Sequence, residues 1–160
     1  MKRTRVSTLV LLGILGTVSG AFIETLMAAG GRAIIIPEAG LPVALVAIAV
    51  IVILLAVPVR RFAHGKSRAP VDPYYATRVV MLAKACALSG ALLTGLALGV
   101  TIYLLTRSAM PSAGSIGLAV ATLIASGILL AAGLIAEHMC VIPPADPDDD
   151  ADPKPIRVRP

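Results

Sequence analysis

Apolar residues along this chain fall into four long stretches, which short polar links separate. At about 1.5 Å per residue, a helix over each stretch would cross most or all of the roughly 30 Å hydrocarbon core of a bilayer. The β-branched run 50–53 is typical of a strand in a soluble protein, but a lone strand in lipid leaves its backbone groups without hydrogen bonds. The sequence therefore predicts an all-α membrane protein, a bundle of four transmembrane helices over residues 6–29, 41–58, 73–106 and 116–139.

The third stretch shows the features of a transmembrane helix most clearly. Asp72 is a suitable N-cap and Pro73 suits the first helical position, and 22 uncharged residues then separate Lys84 from Arg107. Small residues recur along this helix at four-residue spacing, which gives one face almost no side-chain bulk and lets another helix approach closely. We expect this small-residue stripe to be a helix-packing site; it consists of Ala83, Ala87, Ala91, Gly95 and Gly99.

The other spans carry weaker versions of the same signals. The second span is expected to end at Pro58. In the first span, residues 18–21 resemble a signal-peptide cleavage site, but apolar character continues beyond them to Met27, which favours an uncleaved helix. Small residues predict further packing faces at Gly13, Gly16 and Gly20 in the first span, and at Gly117, Ala121 and Ala125 in the fourth.

Composition excludes an ordinary soluble domain. Hydrophobic residues make up 58% of the 160 residues, charged residues only 14%, and the mean hydropathy is +0.92. The net charge of +5 comes from basic residues in short links beside apolar spans, so membrane topology explains it better than nucleic-acid binding. The two cysteines, Cys86 and Cys140, lack metal-ligand spacing and are expected to be free thiols.

Basic residues are distributed unequally between the two sides of the predicted bundle. With the N-terminus in the cytoplasm, that side carries twelve lysines and arginines and the other side carries two. The positive-inside rule therefore predicts a multi-pass protein of the plasma membrane with both termini cytoplasmic. The membrane domain is expected to occupy residues 1–142, and the Pro/Asp-rich residues 143–160 a disordered acidic tail.

Several of these stretches resemble a known family. The segments 72–85, 89–91, 95–99 and 136–144 are similar to small actinobacterial four-helix membrane proteins with no assigned function. The resemblance runs from the basic N-terminus to Pro144, and the third span is its most specific part. Members are often encoded beside folate-biosynthesis genes, which implies an actinobacterial source and a linked process. The family supplies no catalytic or ligand-binding residues.

Glu24 is the one acid inside the first span, and Thr17 and Gly20 lie near the same helix face. An intramembrane carboxylate is a functional candidate by default, here as a proton-coupled group in a small transporter. Its position in the last turns of the span favours the other interpretation, an interfacial acid that snorkels to water or pairs with Arg32.

A charged cluster is expected where the third span begins and the fourth ends. Arg78 and Lys84 meet Glu137 there, either as structural charges with a Lys84–Glu137 ion pair or as a site for a lipid phosphate. Glu137, His138 and Cys140 superficially suggest a metal site, but no second ligand pair accompanies them. The basic link 60–68 and the tail aspartates could form an electrostatic latch, although a topology signal and a solvated tail explain both more simply.

Enzyme motifs are missing from the sequence, which predicts no catalytic residue, cofactor or metal. The favoured function is an accessory or scaffold subunit that packs against membrane partners, because the small-residue stripes exceed what four helices need among themselves. The alternative is a small transporter or channel-like protein that uses Glu24. Expected partners are membrane lipids and a membrane protein or a second copy, with no nucleic acid.

Overall fold

Four helices make up the described part of the chain, which comprises residues 5–31, 38–63, 73–106 and 112–140 of a computed structural model. All four are long and apolar enough to cross a membrane. This confirms the prediction of a four-span, all-α membrane protein. The acidic tail lies outside the described residues. The helices are α1 (Val6–Ala29), α2 (Gly40–Ala63), α3 (Pro73–Thr106) and α4 (Ala113–Met139).

The start of α4 lies three residues before the predicted position. The hydroxyl of Ser112 accepts a hydrogen bond from the backbone N–H of Ser115 at 3.2 Å, which satisfies one of the unpaired donors of the first turn. This serine N-cap brings residues 113–115 into the helix, whereas the predicted span began at residue 116.

The predicted end of the second helix at Pro58 is wrong, since α2 continues to Ala63. A proline inside a helix lacks the backbone N–H, so the helix loses one hydrogen bond to the preceding turn at that point. Ala56 and Val59, on either side of Pro58, are 0% and 6% exposed, and their packing keeps the chain helical. Arg60 and Arg61 then occupy the last turn, where cations interact favourably with the helix dipole.

Helix α3 is the centre of the arrangement. Gly13 lies against Gly95 and Thr17 against Gly99, so α1 runs parallel to α3. Gly133 lies against Ala87, and Gly90, three residues later in α3, lies against Leu130, three residues earlier in α4. Helix α4 therefore runs antiparallel to α3. Among the described helices α1 contacts only α3, whereas α2 packs mainly on α4 and touches α3. The bundle is therefore a group of α2, α3 and α4, with α1 added to α3.

Two clusters of buried residues lie along the α3–α4 pair, and α2 joins one of them. The larger cluster joins α2 to the first part of α3 and the last part of α4, and the smaller one lies between the end of α3 and the start of α4. The α2 residues in the larger cluster follow a four-three spacing, which is the seam of a left-handed coiled coil. They are Leu45, Ala49, Val52, Ala56 and Val59.

Candidate functional site

The small-residue stripe of α3 lies entirely inside the bundle. Ala83 and Ala87 are 0% exposed and Ala91 is 3% exposed. Ala83 and Ala87 face α4 at Gly133, whereas Gly95 and Gly99 face α1. The stripe serves two neighbours because each four-residue step turns about 40° beyond one full helical turn, so the stripe rotates around α3 as it rises. The expectation that it exceeds the packing needs of this chain is therefore wrong.

The face of α1 that meets α3 is built from glycine. A Cβ atom on Gly20 would lie 2.5 Å from the carbonyl oxygen of Leu96, and one on Gly16 would collide with the carbonyl oxygen of Leu92. Equivalent atoms on Gly95 and Gly99 would collide with carbonyl oxygens of α1. The two backbones are thus in direct contact, an arrangement that only residues without a side chain allow.

The close contact between α3 and α4 uses two glycines that the sequence analysis did not single out. A Cβ atom on Gly90 would lie 2.6 Å from the backbone nitrogen of Leu130, and one on Gly133 would lie 2.5 Å from that of Ala87. The predicted α4 face fares differently. Gly117 is exposed with no atom within 4 Å of its Cβ position, and Ala121 is half-buried, while Ala125 is 3% exposed. The spacing of small residues alone did not distinguish a helix face that contacts another helix from one that faces open space.

Glu24 is buried in the contact between α1 and α3. It follows Gly16 and Gly20 at four-residue spacing, and only 1% of its surface is exposed. Since Gly16 meets Leu92 and Gly20 meets Leu96, the register places Glu24 at the level of Val100. The expected snorkelling of this carboxyl group to water is therefore wrong. Its predicted pairing with Arg32 lies outside the described residues.

The chemistry available to Glu24 follows from this position. From residue 85 to residue 106, α3 contains no lysine, arginine or histidine, and Tyr103 is its one titratable group near this level. A carboxyl group that is 1% exposed within an apolar span is a candidate for binding a proton or a cation.

The predicted charged cluster is only partly brought together. Glu137 lies one turn beyond Gly133 and is 7% exposed, so it is on the side of α4 that packs into the bundle. Lys84 is half-buried and Arg78 is exposed. Lys84 follows Ala83 by one residue, so its position is turned about 100° from the line that faces α4. A Lys84–Glu137 ion pair stays a prediction.

Hydroxyl groups in the spans mostly bond to their own helices. Each of seven side chains donates a hydrogen bond to a carbonyl oxygen three or four residues earlier, at 2.7 to 3.3 Å. These bonds satisfy the hydroxyls without joining two helices, so close van der Waals contact is the main force between the helices. The seven are Thr17, Ser19, Ser89, Thr94, Thr101, Thr122 and Ser126.

Comparison with curated proteins and with solved structures gives no significant match. A family model does match, over residues 9–144, and its description is a protein of unknown function, DUF3180. This match runs from the first turns of α1 to just beyond α4 and so includes both glycine contacts and Glu24. The chain therefore belongs to the DUF3180 family of proteins of unknown function.

Proposed function

We propose that this protein is a non-catalytic accessory or scaffold subunit of the plasma membrane, with both termini in the cytoplasm. The observation that carries the proposal is the position of α1, which packs on α3 alone among the described helices and leaves its other sides open. In the most apolar part of α1 11% of the residues are buried, against 44% for α3. A helix attached by one face can join a partner by another. The resemblance to small actinobacterial four-helix membrane proteins adds two points to this proposal, an actinobacterial source and a link to folate biosynthesis.

The surface of α1 that a partner would use is aliphatic. Side chains that are 55% to 72% exposed follow one another along the first half of the helix. They line an open apolar depression of about 640 Å³ on the surface of α1. They include Val6, Val10, Leu11, Ile14, Leu15 and Val18.

A site-specific photo-crosslinker tests this proposal. Placed at Leu11 or Leu15, it should give one protein adduct of defined mass in native membranes. At Ile124 and Ile128 of α4, which are 58% and 44% exposed, it should give lipid adducts only. Leu11 and Leu15 are 63% and 55% exposed, so the two pairs are matched controls.

The adduct must also form when the purified partner and this chain are combined in liposomes. Lipid adducts at all four positions would contradict an accessory role. An adduct of twice the chain mass would replace that role with self-association.

A second candidate function, transport, rests on the burial of Glu24. Because α1 does not contact α2 or α4 in the described structure, these four helices do not surround a common lumen. A transport path would therefore run along the α1–α3 contact or between two copies of the chain.

Proton flux into liposomes under an imposed potential tests the second candidate. Flux that Glu24→Gln abolishes, and that Glu38→Gln at an exposed position just before α2 leaves unchanged, would support transport. Equal flux in wild type, both variants and empty liposomes would exclude it.

A further inference from the structure

Basic side chains from three helices lie at one end of the bundle. Helices α1 and α3 are parallel, so they begin at the same end. The hydroxyl of Tyr75 in the first turn of α3 donates to the carbonyl oxygen of Leu55 at 3.4 Å, which places the last part of α2 there too. We call this the basic end; its described cations are Arg5, Arg60, Arg61, Arg78 and Lys84.

Positive charge dominates the described surface of the basic end. Four of its cations are exposed and Lys84 is half-buried. The described acid at this end, Glu137, is 7% exposed, so its carboxyl group is largely withdrawn from the described surface. The other two described acids, Glu24 and Glu38, lie toward the opposite ends of α1 and α2.

The first turns of α3 carry part of this surface beyond α1. With 34 residues, α3 is about 51 Å long, well over the roughly 30 Å hydrocarbon core. Since Gly13 lies between Ala91 and Gly95, the start of α1 is level with residues 84–88. Residues 73–83 therefore project past α1 on the basic end.

Tyr74 and Arg78 share one face of this projection. They are four residues apart, Tyr74 is 79% exposed, and Arg78 is exposed as well. Tyrosine favours the headgroup region of a bilayer, and a guanidinium group binds phosphate oxygens through a fork of N–H donors. This combination is suited to a phosphate at the level of the lipid headgroups.

We propose that the basic end binds the headgroups of anionic phospholipids, with Arg60, Arg61 and Arg78 as the cations that contact phosphate. This goes beyond the accessory role and does not depend on it. These three cations come from two helices, α2 and α3, so the fold is needed to assemble the site. Near a membrane surface each such cation contributes about 1 kcal/mol, which corresponds to about fivefold in lipid affinity.

Native mass spectrometry of the delipidated full-length protein, titrated with phosphatidylglycerol or phosphatidylcholine, tests the proposal. Wild type should prefer phosphatidylglycerol, and the triple variant Arg60→Gln, Arg61→Gln, Arg78→Gln should lose on the order of a hundredfold in affinity for that lipid only. The matched control is Lys154→Gln, Arg157→Gln, Arg159→Gln, which removes the same net charge from the tail and should change nothing.

Four results would overturn the proposal. Wild type could bind both lipids equally, or the two triple variants could lose affinity equally, which would show an effect of net charge alone. Preference that appears only after the five tail aspartates become asparagine would show that the tail covers the basic end. If the triple variant inserts incorrectly, salt provides the second test. The wild-type preference should fall as NaCl rises from about 0.05 to 0.5 M, and a constant preference would also overturn the proposal.

Discussion

Replacing Gly20 with alanine should loosen the attachment of α1 to α3. The new Cβ atom would lie 2.5 Å from the Leu96 carbonyl oxygen and 3.2 Å from the carbonyl carbon and Cα of the same residue. These are backbone atoms of a long helix, so they cannot move aside as a flexible side chain would. Ordinary contact begins near 3.4 Å, and the helices would have to separate by about 1 Å.

The expected cost follows from that separation. A gap of about 1 Å forfeits up to roughly half of the attraction at each atom pair along the contact, and overpacking of this kind costs about 1–3 kcal/mol. Alanine also favours helix over glycine, by up to about 1 kcal/mol. Gly127→Ala in α4 provides the control because no atom lies within 4 Å of its Cβ position, so it gains helix propensity without a collision.

Unfolding in mixed micelles with rising sodium dodecyl sulfate measures the difference. We expect Gly20→Ala to be less stable than Gly127→Ala by about 2 kcal/mol, with the loss confined to the docking of α1. A distance measurement between spin labels on α1 and α3 should show the displacement directly. Equal stability of the two variants, with no change in the interhelical distance, would refute backbone contact between α1 and α3.

Three further predictions concern other parts of the chain. Gly133→Ala should destabilise the α3–α4 pair by about 1–3 kcal/mol in the same assay, and an effect no larger than that of Gly117→Ala would contradict the contact seen here. Burial raises the pKa of the Cys140 thiol. The thiolate is therefore scarce at neutral pH. In a Cys86→Ser background, alkylation of Cys140 should be slower than that of a small free thiol and should accelerate as pH rises, and equal rates would contradict burial. A fluorescent protein fused after residue 160 should fluoresce, while alkaline phosphatase inserted in the link 107–111 should be active, and the reverse pattern would invert the proposed topology.

Hydropathy along the sequence is a local property, and it was sufficient for the helices themselves. The four spans were predictable because lipid leaves the backbone no alternative to internal hydrogen bonds. Errors arose at helix ends, where a single contact decides the outcome. Ser112 caps α4 earlier than expected, and buried neighbours carry α2 through Pro58.

What each small residue contacts could not be read from its spacing. The stripe from Ala83 to Gly99 predicted a close helix contact, but the same pattern suits a helix of this chain or of a partner. The tertiary structure resolves this because the stripe rotates around α3 and meets α4 first and α1 afterwards. Gly117 shows the converse, a residue in a similar pattern that faces open space.

Glu24 shows the same division between local and tertiary information. Its place near the end of the first span followed from counting residues, and that count favoured an exposed, interfacial carboxyl group. Only the tertiary structure decides its exposure, because α1 turns the face with Gly16, Gly20 and Glu24 toward α3. The sequence by itself determined a four-span membrane protein, since transfer to lipid depends on each segment alone. Which faces are buried depends on the register between helices, and register is set by contacts between residues far apart in the chain.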